Sequence, residues 1–138
     1  MPKRRARARW EGPLEAGSGT LALGSGAYEG PYSFQSRFQE GDGTNPEELI
    51  GAALAGCFSM ALSLSLSQAG HEPESVETEA TVHLDKQDSG FAITGIELAT
   101  RGKVPGVDSE EFQRHAEEGC IVSRALAVDI SLEASLEG

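Results

Sequence analysis

LIGAALAGCFSMALSLSLSQAG, residues 49–70, holds no charged side chain, and Cys57 lies near its middle. Its length alone would let it cross a bilayer. Its composition argues against that: Ser59, Ser63, Ser65, Ser67, Gly51 and Gly56 interrupt the apolar residues. Glu47 and Glu48 precede it and Glu72 and Glu74 follow, so neither end has the Lys/Arg excess of a membrane span. The approach, TNPEEL, reads as the start of a soluble helix. Asn45 is its N-cap, Pro46 its first residue, and Glu48 the return half of a capping box. Both acids lie at the positive end of the helix dipole. Gly70 suits the position just past the C-terminus. One long helix over 46–69 is predicted. Being uncharged on every side, it must be surrounded by protein. One small sheet covers one face, so a second copy of the chain is the expected cover for the rest.

Working outward, the sequence alternates. Val76, Thr78, Ala80, Val82 and Leu84 share one face, and Glu77, Glu79, Thr81, His83 and Asp85 the other. Val128, Ile130, Leu132, Ala134 and Leu136 alternate with polar residues in the same way. Period two with one apolar face predicts antiparallel strands with one solvated side. FAITGIEL, from Phe91, is a third such strand, with DSG before it as a hairpin turn. ARWEG, TLALGSG and YSFQSRF are shorter strand candidates. A second helix is expected from Asp108 or Ser109, where DSEE resembles a capping box, to Gly119, and a short third helix from CIVSRAL. The class is α+β, and the 138 residues read as one domain, 1–138.

Net charge is −11. The first ten residues, MPKRRARARW, carry five positive charges and no acid, which leaves the remainder at about −16 by formal counting. An acidic body argues against nucleic acid or an anionic membrane as the main partner. No apolar segment of signal-peptide type follows the basic start, so a cytoplasmic location is expected. Two cysteines in a reducing compartment argue against a permanent disulfide. There is no CxxC, and His71, His83 and His115 are the only histidines, so a zinc site is poorly supported.

Taken singly, Cys57 reads as a small apolar core residue. Cys120 follows Gly119 at a helix start, where unpaired N–H groups lower a thiol pKa. Glu48 reads as a cap, and Arg37 as a solvated strand residue. The combined pattern says more. SRFQEGDGTNPEELIGAALAGCFSMALSLSLSQAG, with GFAIT, VPGVD and GCIVSRAL in order, resembles the osmotically inducible protein C subgroup of the OsmC/Ohr family, shared with the organic hydroperoxide resistance proteins. The likeness runs from about Trp10 to the C-terminus.

That resemblance implies a cysteine-based peroxidase without metal, haem or other bound cofactor. It implies an intertwined homodimer, with long central helices inside and antiparallel sheets wrapped outside. Position by position, NPEELIGAALAGC makes Cys57 the peroxidatic thiol and GCIVS makes Cys120 the resolving thiol. SRF makes Arg37 the arginine beside the reactive sulfur, and Glu47, the first acid of PEE, orients it, expected through a bidentate contact. The implied substrates are organic hydroperoxides, and the implied reductant is an external dithiol, of lipoyl type on a carrier protein. Two departures stand out: Leu54 where relatives often carry His or Tyr, and Ile121 where they often carry Pro. Leu54 is expected to make the pocket more apolar, and Ile121 to alter how the segment at Cys120 moves.

The chemistry suits these residue types. A sulfur nucleophile breaking an O–O bond needs a nearby cation, which arginine supplies permanently. Glu47 and Cys57 are ten residues apart in one helix, roughly 15 Å along its axis. If both serve one site, Glu47 is expected from a partner subunit. Three other readings compete: a binding module for an apolar ligand, a thiol redox sensor or disulfide oxidoreductase, and a nucleic-acid-binding role through the basic arm. Slow reaction of Cys57 with hydroperoxides would favour the first. Exchange without peroxide turnover would favour the second, and loss of function on removing the residues before Trp10 the third.

Overall fold

The computed structural model describes residues 2–138. They form two compact units, the first ending at Leu49 and the second starting at Ile50. The class is α+β, as expected, with two three-stranded sheets and one long helix.

The first unit opens with an antiparallel sheet of β1 (Ala6–Glu11), β2 (Ser18–Leu23) and β3 (Glu29–Tyr32), in that order. Gly19 pairs with Trp10 on one side and Tyr32 on the other. A methyl group there would collide with both rings. Its absence lets Trp10 and Tyr32 meet across the strand, centroids 5.5 Å apart.

YSFQSRF, expected as a strand, is one only at Tyr32; Phe34–Phe38 is the short helix α1. The reason is local. Ser33 and Ser36 form a reciprocal capping box, Ser36 N–H to Ser33 Oγ at 3.1 Å and Ser33 N–H to Ser36 Oγ at 2.8 Å. Alternation of apolar and polar residues over so few positions cannot outweigh two satisfied backbone donors. Arg37 therefore lies in the last turn of a helix.

The segment after α1 folds back on it. The Ser36 hydroxyl donates to the Thr44 carbonyl at 2.8 Å, and the Asn45 amide to the Ser36 carbonyl at 2.9 Å. Helix α2 (Pro46–Gln68) follows, at almost its expected bounds. Asn45 Oδ1 accepts the Glu48 N–H at 2.8 Å, the expected N-cap bond. The capping box is not completed as expected, because the Glu48 carboxylate takes the Thr44 hydroxyl instead, at 2.8 Å. At the far end Gly70 adopts φ +91°. His71 N–H reaches the Leu66 carbonyl and Gly70 N–H the Ser67 carbonyl, a Schellman stop.

In the second unit, Leu54, Phe58, Leu62 and Leu66 form a row of residues four apart on α2, all buried. They share a core with Ile96, Leu98, Val104, Phe112, Ala116 and Cys120. Among the described residues α2 is the one helix long and apolar enough to cross a membrane. Burial of this row in a protein core gives its apolar character another cause. The Ser59 hydroxyl of the helix is satisfied by Thr78 at 2.7 Å, and Thr78 bonds the buried Thr100 at 2.9 Å.

The sheet beneath comprises β4 (Ser75–Gln87), β5 (Gly90–Lys103) and β6 (Ile130–Leu136). β4 and β5 form the expected antiparallel hairpin through DSG. β5 runs well past FAITGIEL. β6 keeps its expected alternation but pairs with β5 in parallel, which corrects the all-antiparallel expectation. Alternation fixes which face is buried and carries no strand direction. Direction comes from the connection: α3 (Ser109–Ala116) and α4 (Ile121–Ala125) carry the chain back before β6 begins. α3 is capped by Asp108, whose carboxylate accepts the Glu111 N–H at 2.8 Å, and it ends three residues before Gly119. Ser65 on α2 bonds His115 Nδ1 at 2.6 Å and also Glu118, tying α2 to the α3 region.

Candidate active site

The structure brings the four expected residues together as two pairs, one in each unit. In the second unit, Cys57 on α2 is half-buried and packed against the core, and Cys120 is 2 % exposed. Both are free thiols, and the Cys57 side chain is near enough to Cys120 to lower its pKa.

Cys120 occupies the N-cap of α4, a place usually taken by Ser, Thr, Asp or Asn. Its Sγ accepts the Ser123 N–H at 3.4 Å. In return the Cys120 N–H donates to Ser123 Oγ at 2.8 Å, and that hydroxyl donates to the Cys120 carbonyl at 2.8 Å. Gly119, at φ +75°, turns the chain into this cap. Burial pushes the Cys120 thiol up. The backbone and side chain of Ser123, the Cys57 thiol and the Val122 N–H outweigh it and hold the pKa below the ordinary thiol value. The expected lowering at a helix start is thus present, carried by specific donors.

In the first unit, Arg37 and Glu47 form an ion pair. Nε donates to Glu47 Oε1 at 3.0 Å, and Nη2 lies 2.8 Å from the same oxygen. Two guanidinium nitrogens converge on one carboxylate oxygen, in place of the fork-to-fork contact expected. Glu47 Oε2 is buried and has no hydrogen-bond partner among the described residues. The carboxylate side chain is 8 % exposed and the arginine 42 %, so the acid is the buried anchor and the cation faces outward. The guanidinium also lies 5.3 Å from the Phe38 ring centre. Fixing the arginine on a buried acid next to a helix start leaves a directed positive charge with donors to spare.

A family profile described as OsmC-like protein matches residues 39–134. The chain belongs to the OsmC family. It is 49% identical to Peroxiredoxin OsmC of Escherichia coli (strain K12), over 97% of this chain and 96% of that one. It is 34% identical to Organic hydroperoxide resistance protein-like 2 of Staphylococcus epidermidis, over 72% of each. Among solved structures, the organic hydroperoxide resistance protein OhrB of Bacillus subtilis superposes with a TM-score of 0.70 at 27% identity, covering 96% of this chain and 98% of that one. An OsmC-like protein from Mycoplasma pneumoniae shares the fold at a TM-score of 0.76 and 16% identity, covering 99% of each.

Against this OsmC-family background, the two departures have clear positions. Leu54 is fully buried in the core, so its side chain meets protein and not an open pocket. Ile121, the first residue of α4, is 78 % exposed. Sequence reasoning overlooked Ser123. Its signal was the CIVS spacing, a capping box with sulfur in the N-cap place.

Proposed function

We propose that the chain is a thiol peroxidase that reduces organic hydroperoxides, and inorganic ones less well, to alcohols. The observation that carries this reading is the contact between the Cys57 and Cys120 thiols, with donors gathered on the second sulfur. The Cys57 sulfur attacks the terminal peroxide oxygen. The O–O bond breaks, the alkoxide takes a proton and leaves as alcohol, and Cys57 becomes a sulfenic acid. Cys120 then attacks the Cys57 sulfur, water departs, and a disulfide forms before further oxidation can occur. A dithiol, of lipoyl type on a carrier protein, supplies two electrons by exchange. The thiols carry all the electrons, so the cycle asks for no metal or bound prosthetic group. The need for a dithiol pool fits a cytoplasmic setting. The apolar core around Cys57 favours organic over inorganic peroxides.

Arg37, held by Glu47, is the cation that accompanies the sulfur attack and hydrogen-bonds the departing oxygen. α2 is continuous between Glu47 and Cys57, and ten residues of helix span about 15 Å. The Arg37–Glu47 pair that serves a given Cys57 therefore belongs to a second copy of the chain, in a homodimer. Exposed Met60 and Leu64 on α2 support that pairing.

The test is peroxide consumption by the reduced protein with a dithiol. Cys57→Ser is expected to abolish turnover. Cys120→Ser is expected to stall or overoxidise after one turnover. Consumption unchanged in Cys57→Ser would refute the reading and turn attention to an apolar-ligand-binding role.

A further inference from the structure

Ser123 makes to Cys120 the same three bonds that Ser36 makes to Ser33 at the start of α1, but here the capping atom is a sulfur. The Ser123 N–H meets the sulfur, and its hydroxyl both accepts from the Cys120 N–H and donates to the Cys120 carbonyl. A Cβ on Gly119 would lie 3.1 Å from that hydroxyl, so the turn leaves room for it. The two sulfurs also differ in access: Cys57 is half-buried and Cys120 is 2 % exposed. An incoming thiolate reaches a disulfide at its open sulfur, and the other sulfur departs with the electron pair.

We infer that Ser123 is a positioning residue for the reductive half of the cycle, holding Cys120 Sγ so that Cys120 is the leaving group when the Cys57–Cys120 disulfide is reduced. The inference rests on the peroxidase reading above for the existence of that disulfide. One thiolate of the dithiol attacks Cys57 Sγ. A new S–S bond forms to Cys57, the Cys57–Cys120 bond breaks, and its electron pair goes to Cys120 as thiolate. That charge is received by the Ser123 and Val122 N–H groups, which help to hold the thiol below its ordinary pKa, while the Ser123 hydroxyl fixes the Cys120 backbone. A weaker base leaves faster. The second thiol of the dithiol then attacks the mixed disulfide, frees Cys57 and closes its own disulfide, so two electrons pass in all.

The test forms the disulfide with diamide, without peroxide, and follows its reduction by dihydrolipoamide in wild type, Ser123→Ala and Ser123→Thr. Ser123→Ala is expected to slow reduction about tenfold, and more than it slows the reaction of the reduced protein with tert-butyl hydroperoxide. Ser123→Thr, which keeps the hydroxyl, is expected to recover most of the rate. In a Cys57→Ser background, the ultraviolet thiolate signal of Cys120 is expected to titrate at higher pH once Ser123 is alanine. A loss no greater in reduction than in oxidation, or an unmoved titration, overturns the inference. A measurement on wild type alone guards against a variant that fails to fold. A monothiol added to the oxidised protein is expected on Cys57 by mass spectrometry, and an adduct on Cys120 overturns the inference. Slowed reduction in a protein without peroxide turnover would leave the role of Ser123 standing and remove the peroxidase reading. A wild type that forms no Cys57–Cys120 disulfide overturns both.

Discussion

Cys120 stands where a helix usually places an oxygen, and its sulfur accepts a backbone N–H in the same manner. This has a consequence for stability against pH. The fold holds the thiol below its ordinary pKa, so it favours the thiolate. The stabilisation is fully present above the unfolded thiol value of about 8.5 and is lost as pH falls through the lowered folded value. Urea unfolding across that window is expected to show the stability gap between wild type and Cys120→Ser widening as pH rises; a constant gap would contradict it. At the other pair, Nε and Nη2 both bind Glu47 Oε1, which a lysine cannot reproduce. Arg37→Lys is expected to lower kcat/KM at least about tenfold, a loss of about 1.4 kcal/mol in transition-state stabilisation. The four residues were legible because they sit in motifs whose order and spacing a family shares. Ser123 was not, because a capping box is ordinarily sought by its Ser, Thr, Asp or Asn, and here the N-cap is cysteine.

At the scale of elements, close approach of α3 to the sheet depends on Gly102 in β5. A methyl group there would meet the Phe112 ring at 2.7 Å, and Phe112 is fully buried. Gly102→Ala is expected to cost about 1–3 kcal/mol, read from the urea midpoint. Asn45→Ala removes the cap bond to Glu48 N–H and is expected to cost about 1 kcal/mol by the same measurement. Leu62→Ala opens a hole in the buried row of α2 and is expected to cost about 2–5 kcal/mol. The long helix was legible because its start and stop are written in local chemistry, Asn-Pro at one end and a left-handed glycine at the other. The hairpin of β4 and β5 was legible from period two and the DSG turn. Two features were hidden for opposite reasons. α1 depends on a two-serine box too short to disturb an alternating pattern. The parallel pairing of β6 depends on the path of the chain through α3 and α4, to which side-chain period is blind.

For the whole molecule, an uncharged helix states that it must be covered without stating by what. Its Leu54–Leu66 row is covered by the chain's own core, while Met60 is 77 % and Leu64 58 % exposed on the described chain. A second copy is the cover proposed here, and with it the source of Arg37 and Glu47. Leu64→Glu is expected to yield monomers by analytical ultracentrifugation and to lose peroxide turnover with them. A fully active monomer would refute the shared site. Cys57 and Cys120 are proposed to form one redox pair that turns over hydroperoxides. The most direct measurement is the decay of tert-butyl hydroperoxide with dihydrolipoamide and the reduced protein, in wild type, Cys57→Ser and Cys120→Ser. Rapid decay in wild type, none in Cys57→Ser and a single turnover in Cys120→Ser is the result predicted. Slow decay that is the same in all three would contradict it.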